Sequence, residues 1–517
     1  MTWTPREILL NTYKLFLAVM ACFICLAPST ALASPPLATD PDFAAIDAYV
    51  TARMKDLRIP GVAIGIVQGD RIAYLKGFGI ADPSGRPMTP QTSFRLASVS
   101  KTMTALAIMQ LVEAGTLELD APVQRYLPWF RVARQTATAL DESSTITIRH
   151  LIYHTSGIPQ SAGYDNFFNG DLSDAALERN VRRLAQVTLN RPVGTTYQYA
   201  NLNYDVLGLI VQTVSGQSYE VYVQEYILTP LAMQESFTSQ AEAYAAGMAT
   251  GYRQWFGFPI PVLLPDDRAA RPSSFLISSA EDLTHLLIAE LNGGRYGNGT
   301  ILSPEGIAVT QLPITPIGNT DLRAGMGMDV GQVNGVNIAG KTGGTANYNA
   351  RIVLAPLDGW GVVVLANTFD IGLGDQFDTM ANGIAAILVS GQKPDVLPAP
   401  IGGGNAAMKF ILAAVAVFQI VTIFRVHRVL RSASRDWHWL ARHIGVPLAL
   451  DVILALLLLV AGPRFMNTPL NFLFYFAPDL FWLTIAVVII PFSRDILKGL
   501  LMLRSLRATQ SARLAYR

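Results

Sequence analysis

Three apolar stretches near the C-terminus, over residues 406–424, 444–461 and 472–492, constrain this chain most. Each approaches the ~20 residues that a helix needs to cross a bilayer. A buried helical domain could be equally apolar, but the charges between the stretches are distributed as at a membrane. Arg425, Arg428, Arg431, Arg435 and Arg442 fill the first connection, and Arg494, Lys498, Arg504, Arg507, Arg513 and Arg517 follow the third stretch. The connection at 463–469 holds only Arg464. Basic residues are retained on the cytoplasmic side, so the first connection and the basic tail at 493–517 are expected inside, and the chain before residue 406 outside. Residues 393–405, with Pro394, Pro398, Pro400 and the triplet Gly402 to Gly404, read as a linker. Asp451 and Asp479 lie within or beside the stretches, where a carboxylate is costly, and are expected to face each other, an arginine or the interface.

The other end of the chain agrees with export. Arg6 and Lys14 precede an apolar run at 15–27, and Pro28 and Ala31-Leu32-Ala33 follow, so residues 1–33 read as a signal peptide cleaved after Ala33. Cys22 and Cys25 both fall inside it, which would leave the domain at 34–392 without a disulfide or a thiol nucleophile. The two ends account for a hydrophobic fraction of 51% against 15% charged residues. A net charge of +1, with no basic tract interleaved with aromatics in the central region, gives no reason to expect nucleic acid as a partner.

Within 34–392 apolar residues recur at helical spacing over 44–57, and then 61–68 and 71–80 alternate around Gly69-Asp70. A helix followed by a hairpin argues for an α+β domain. Two further strands are predicted at 350–356 and 359–366 around Leu357-Asp358. Ser98-Val99-Ser100-Lys101 stands at the head of an apolar run, 103–112, that suits a buried helix. Residues three apart share a helix face, so the Ser98 hydroxyl and the Lys101 amine can meet. Desolvation lowers the pKa of a lysine and lets it act as a base for such a hydroxyl. Taken alone, the motif is weak and reads first as a serine cap followed by a solvated lysine.

Two later motifs add to it. Tyr199-x-Asn201 is expected in a loop before an apolar helix at 206–214. A tyrosine beside a lysine cation would be drawn toward phenolate, and the Asn201 amide can hold both a carbonyl and a lysine. Lys341-Thr342-Gly343-Gly344 reads as strand, where glycine admits a substrate backbone closely. Lys341 and Thr342 suit a carboxylate, and the amides of Ser98 and Gly344 could form an oxyanion hole. His154 reads as a hydrogen-bonded structural histidine, since no Gly-x-Ser-x-Gly elbow accompanies it. The spacing of His150, His154 and His285 matches no metal-ligand motif.

In this order the three motifs resemble those of the class C β-lactamases and low-molecular-weight penicillin-binding proteins, the β-lactamase-related serine hydrolases. Phe94-Arg95-Leu96-Ala97 and the segments 151–157, 203–208 and 278–283 also resemble recurrent family segments. The resemblance implies an α+β fold, an antiparallel sheet flanked by helices with a helical lobe, and an active site between them. It makes Ser98 the acylated nucleophile, Lys101 its proton partner and Tyr199 the second acid/base group. Asn201, Lys341, Thr342 and Gly343 become substrate contacts, the amides of Ser98 and Gly344 the oxyanion hole, and no metal or cofactor is required. The expected activity is a peptidase on D-amino-acid-containing peptides. An esterase, a β-lactamase and a slowly deacylating penicillin sensor share the same acyl-enzyme. The domain order also resembles membrane peptidases that remove a D-amino-acid prodrug group, although those carry a serine in place of Asn201. Expected partners are a small peptide, ester or β-lactam substrate and the lipid bilayer.

Overall fold

The computed structural model describes residues 41–134, 136, 141–391, 405–430, 438, 441–466 and 468–515. The expected signal peptide lies outside the described residues, as does the expected linker apart from Asn405.

The predicted helix and hairpin form as α1 (Phe43–Leu57), β1 (Gly61–Gln68) and β2 (Arg71–Gly79). They join β3 (Thr315–Pro316), β4 (Leu322–Ala324), β5 (Asp329–Val333), β6 (Val336–Thr345), β7 (Tyr348–Ala355) and β8 (Trp360–Ala366) in one sheet, with order β2-β1-β8-β7-β6-β5-β4-β3. All neighbours are antiparallel. Every residue of β7 and β8 is buried, so these central strands are covered on both faces, which is why β8 and the second half of β7 read as continuous apolar runs. The helix α5 (Gly374–Ser390) lies beside α1, whose Tyr49 hydroxyl and Arg53 guanidinium donate to the carbonyls of Thr379 and Gln376. The helix α4 (Ala280–Leu291) brings Thr284 against Gly65 of β1 and Leu287 against Gly361 of β8.

The helical lobe centres on α2 (Ser100–Glu113), where Met103, Ala105 to Met109 and Leu111 are all buried. Its three inward hydroxyls are paired, Ser100 accepting from the Leu276 amide at 3.1 Å, Thr102 donating to the Gly327 carbonyl at 3.1 Å and Thr104 to that of Pro272 at 2.6 Å. A helix without a wet face has to sit inside the molecule, and each large apolar side chain it buries contributes about 1.5–3 kcal/mol. The helix α3 (Asn201–Ser215) begins at Asn201 rather than near 206 as the periodicity predicts. Its first turns point polar groups inward, which hides them from an apolar pattern. Asn203 accepts from the Ser156 hydroxyl, Tyr204 donates to the Ile152 carbonyl, and Asp205 accepts from Asn180.

Among the described residues three helices are long and apolar enough to cross a membrane: Ala406–Phe424 within α6 (Ala406–Leu430), α7 (Ala441–Phe465), and Pro478–Met502 within α9 (Pro478–Ala515). The third starts later than the predicted residue 472. Residues there form a separate short helix, α8 (Leu470–Phe476), and Ala477 leaves helical geometry at φ −144°, ψ 64°. Proline excludes the helical conformation from the residue before it and is tolerated in a first turn, so a new helix opens at Pro478. Asp451 and Asp479 do not face each other. Asp451 pairs with Arg494, and Asp479 pairs with Lys409 at 2.6 Å while accepting from the amide of Phe256.

The helix α8 docks on the catalytic domain through an aromatic cluster. Phe472 packs on Tyr164 at 4.3 Å between ring centroids, Tyr475 on Phe168 at 4.8 Å, and Phe476 on Phe167 at 6.0 Å. Asn471 donates to the Tyr164 carbonyl and Arg253 to that of Phe474. These contacts tie the turn Gln160–Asn166 to the membrane helices.

Candidate active site

Ser98 sits on a single 3-10 turn, Ala97–Val99, that feeds directly into α2. Ala97 holds φ +48°, a left-handed conformation that costs a residue with a Cβ about 1–2 kcal/mol. Strain of this kind beside a reactive side chain is a marker of function. Lys101, one turn on, is completely buried. The expected meeting of the two occurs, with Lys101 Nζ 3.1 Å from Ser98 Oγ. The Tyr199 hydroxyl lies 2.5 Å from the same Oγ. Asn201, at the start of α3, accepts from Lys101 at 2.8 Å, and the backbone carbonyl of Ser273 accepts from it at 2.6 Å.

Charge states follow from burial. Desolvation pushes Lys101 well below the usual lysine range, the Lys341 charge adds to this, and Asp205 and Asp329 oppose it. Burial likewise raises Tyr199 above the usual phenol range, against the lowering effect of its bond to Ser98. The expected pull toward phenolate is therefore reversed. Burial that lowers the lysine weakens the cation that would have drawn Tyr199 toward phenolate, and burial of the phenol itself favours its protonated form. Asp205, behind the lysine, is pushed up to about 8 by burial.

Lys341 and Thr342 lie on β6 with neither group idle. Lys341 Nζ is 3.1 and 3.4 Å from the two Asp329 oxygens and 5.4 Å from the centre of the Tyr199 ring. The Thr342 hydroxyl donates to Asp378 at 3.0 Å and accepts from Arg351 at 2.6 Å. Burial raises Asp378 to about 6. The support that Lys341 and Thr342 gave to a carboxylate-bearing substrate is thus weakened, because the protein's own Asp329 and Asp378 already occupy both groups.

Gly343 explains how the strand comes so near the nucleophile. A Cβ there would lie 2.2 Å from the Leu96 carbonyl oxygen and 3.0 Å from the Ser98 amide nitrogen. Gly343→Ala is expected to push β6 away from the Ser98 turn, destabilising the fold by about 1–3 kcal/mol. Thermal melting would register that loss, and a fall in kcat/KM beyond the loss of folded protein would register the displaced strand.

His154 takes the structural part expected of it. It is buried at φ +57°, and its Nδ1 receives the Ala200 amide at 3.3 Å and the Asn203 side-chain amide at 3.0 Å. Its ring lies 4.6 Å from that of Tyr199, so it braces the tyrosine loop from behind. Burial drives its pKa well down, which keeps it a neutral acceptor. Sequence reasoning missed Ser273, Asp205, Asp329, Arg351 and Asp378. Asp205 falls in the segment 203–208 without a role of its own having been read from it; the antiparallel register, which sets Asp329 against Gly340 and Thr342 against Arg351, brings two of the others to the site, and Asp378 reaches Thr342 from helix α5.

A sequence profile of the β-lactamase family matches residues 46–386, two lobes and all three motifs included. The chain belongs to the β-lactamase family. Protein flp of Staphylococcus aureus strain N315 is 30% identical over 332 residues, 62% of each chain. Esterase EstB of Burkholderia gladioli is 36% identical over 243 residues, 44% of this chain and 60% of EstB. The match thus spans about three fifths of these curated relatives. The octameric penicillin-binding protein homologue from Pyrococcus abyssi superposes with a TM-score of 0.60 at 26% identity, covering 72% of this chain and 81% of that one. EstCE1, a hydrolase with promiscuous acyltransferase activity, shares the fold at a TM-score of 0.57 and 24% identity, covering 66% and 97%.

Proposed function

We propose that the protein is a membrane-anchored serine hydrolase that works outside the cytoplasmic membrane through an acyl-enzyme on Ser98, with carboxylic esters as its readiest substrates. The hydrogen bonding of Lys101 carries this reading. A neutral amine has two N–H groups and one lone pair. The Asn201 side-chain oxygen and the Ser273 carbonyl can only accept, so they take both N–H groups and leave the lone pair directed at Ser98 Oγ. The serine proton passes to that lone pair as Oγ attacks the substrate carbonyl. The amides of Ser98 and Gly344 face the developing oxyanion. Tyr199, a protonated phenol in contact with Oγ, donates to the departing alkoxide as the C–O bond breaks, and the proton that Lys101 took from Ser98 restores the phenol, leaving the amine neutral again. Water then repeats the sequence against the acyl-enzyme and releases the acid.

The pairing of Lys341 with Asp329 favours a substrate without its own carboxylate, and the esterase relatives point the same way. A peptidase on D-amino-acid-containing peptides is the second reading, and it too has an observation behind it. The strand β5 pairs with β6 only as far as Gly340, so residues 341–345 keep an edge to which an extended peptide backbone could add. Acylation by p-nitrophenyl acetate should give a burst of nitrophenol and an acetyl group on the peptide containing Ser98. A fluorescent penicillin that labels Ser98 and stays for hours would instead favour a sensor.

The outward orientation rests on the arginine distribution and on α8, which joins two spans on the side opposite the arginine-rich connection and packs on the catalytic domain. Protease added to intact spheroplasts should digest that domain; protection until lysis would reverse the topology.

Asp329→Asn tests the substrate preference. Removing this carboxylate takes away an influence that raises Lys101, so the acid limb of kcat/KM should move to lower pH. It should also free the Lys341 charge and improve KM for carboxylate-bearing substrates relative to neutral ones by about tenfold. An unchanged ratio would mean that Lys341 never meets the substrate.

A further inference from the structure

The catalytic domain and the membrane helix α7 border an open-sided cavity of about 550 Å³, lined by Ser161, Ala162, Leu459, Val460, Pro463 and Arg464 among others. This volume is within the ~300–1,000 Å³ of small-molecule sites. One wall belongs to the active-site rim. Ala162 is followed by Gly163, which lies against the side chains of Asn201 and Leu202, and Asn201 in turn holds Lys101. The other wall belongs to the membrane. Leu459 and Val460 are within the apolar span Ala441–Phe465, and Val460 keeps 39% of its surface exposed. Beyond Pro463 the wall ends in Arg464, which is exposed and forms no ion pair among the described residues.

From Leu459 to Arg464 this wall passes from apolar to cationic, in the order of an amphiphile standing in a leaflet. The docked α8 keeps the turn Gln160–Asn166 against the spans, so an apolar chain in the cavity would lie between α7 and the segment that neighbours Asn201. We propose that this cavity receives the apolar chain of a lipid-like ester substrate, with an anionic group of that amphiphile at Arg464. The substrate class rests on the ester-hydrolase reading above; the binding site itself does not.

Two measurements on the full chain in nanodiscs separate the ideas. The first compares p-nitrophenyl acetate with p-nitrophenyl dodecanoate. Leu459→Trp, which fills the apolar end, should lower kcat/KM for the dodecanoate about tenfold or more, since each buried methylene counts, while acetate hydrolysis stays within about twofold of the parent chain. The second uses a Ser98→Ala chain and a photoreactive diazirine analogue of dodecanoic acid, followed by mapping of the labelled peptides. Label should appear on the peptide spanning 160–168 as well as on α7, and Arg464→Glu should reduce it about fivefold by replacing attraction with repulsion. Label confined to the membrane helices, or label on 160–168 that neither variant changes, overturns the site. Failure of the parent chain to hydrolyse either ester would overturn the ester-hydrolase reading and leave the labelling result to judge the cavity alone.

Discussion

Ser98→Ala is expected to lower kcat for ester substrates by about 10⁴-fold or more, because alanine cannot form the acyl bond and the remaining donors only orient substrate. The same variant should not take up label from a fluorescent penicillin. Folding should be little affected, since the serine hydroxyl is partly exposed and its neighbours Lys101 and Tyr199 retain their other contacts. Thermal melting within a few degrees of the parent chain would show that the lost activity is chemical. Hydrolysis at the parental rate would remove Ser98 from the mechanism altogether.

Lys101→Met should lower kcat by about 10²–10⁴-fold, the range for removing a general base. Its effect on stability is more diagnostic. The folded chain holds Lys101 well below the ordinary value of 10.5 because the ammonium is desolvated. Between the two pKa values the unfolded chain binds the extra proton, so stability rises with pH there. Asp205 acts oppositely, since its folded pKa of about 8 exceeds the ordinary 3.8 and its share of stability falls as pH rises through that range. Above about pH 8 the Asp205 contribution levels off. Urea unfolding from pH 8.5 to 10 should therefore show the parent chain gaining stability with pH relative to Lys101→Met, since the buried tyrosines that lower stability in this range are common to both. A methionine fills similar volume without a desolvated amine, so the variant should melt no lower at pH 7. A parent profile parallel to that of the variant would mean that the lysine is charged in the fold and cannot be the base.

Much of the architecture was legible locally. The hairpin at Gly69-Asp70, the helix before it, the strands around Leu357-Asp358 and the buried helix after Ser98 all have uninterrupted periodicity, and they form close to where it puts them. The start of α3 was not legible, because Asn203, Tyr204 and Asp205 are buried by partners on other segments. The opening of the third membrane helix moved for a local reason that hydropathy overlooks, the break that Pro478 imposes on Ala477.

The candidate site divides in the same way. The sequence by itself determined the family, since the types and order of Ser98, Lys101, Tyr199, Asn201 and the Lys341 strand suffice to resemble it, and it nominated those side chains for the chemistry proposed above. It also determined that the chain ends in spans long enough for a bilayer, because length and apolarity are local quantities. Only the tertiary structure decided how those side chains are charged and what they are free to bind. Burial lowers the pKa of Lys101 and raises that of Tyr199, and the register of β5, β6 and β7 sets Asp329 beside Lys341 and Arg351 against Thr342. Desolvation and pairing depend on everything within a few ångströms, whatever its distance along the chain, and that neighbourhood exists only once the two lobes close around Ser98.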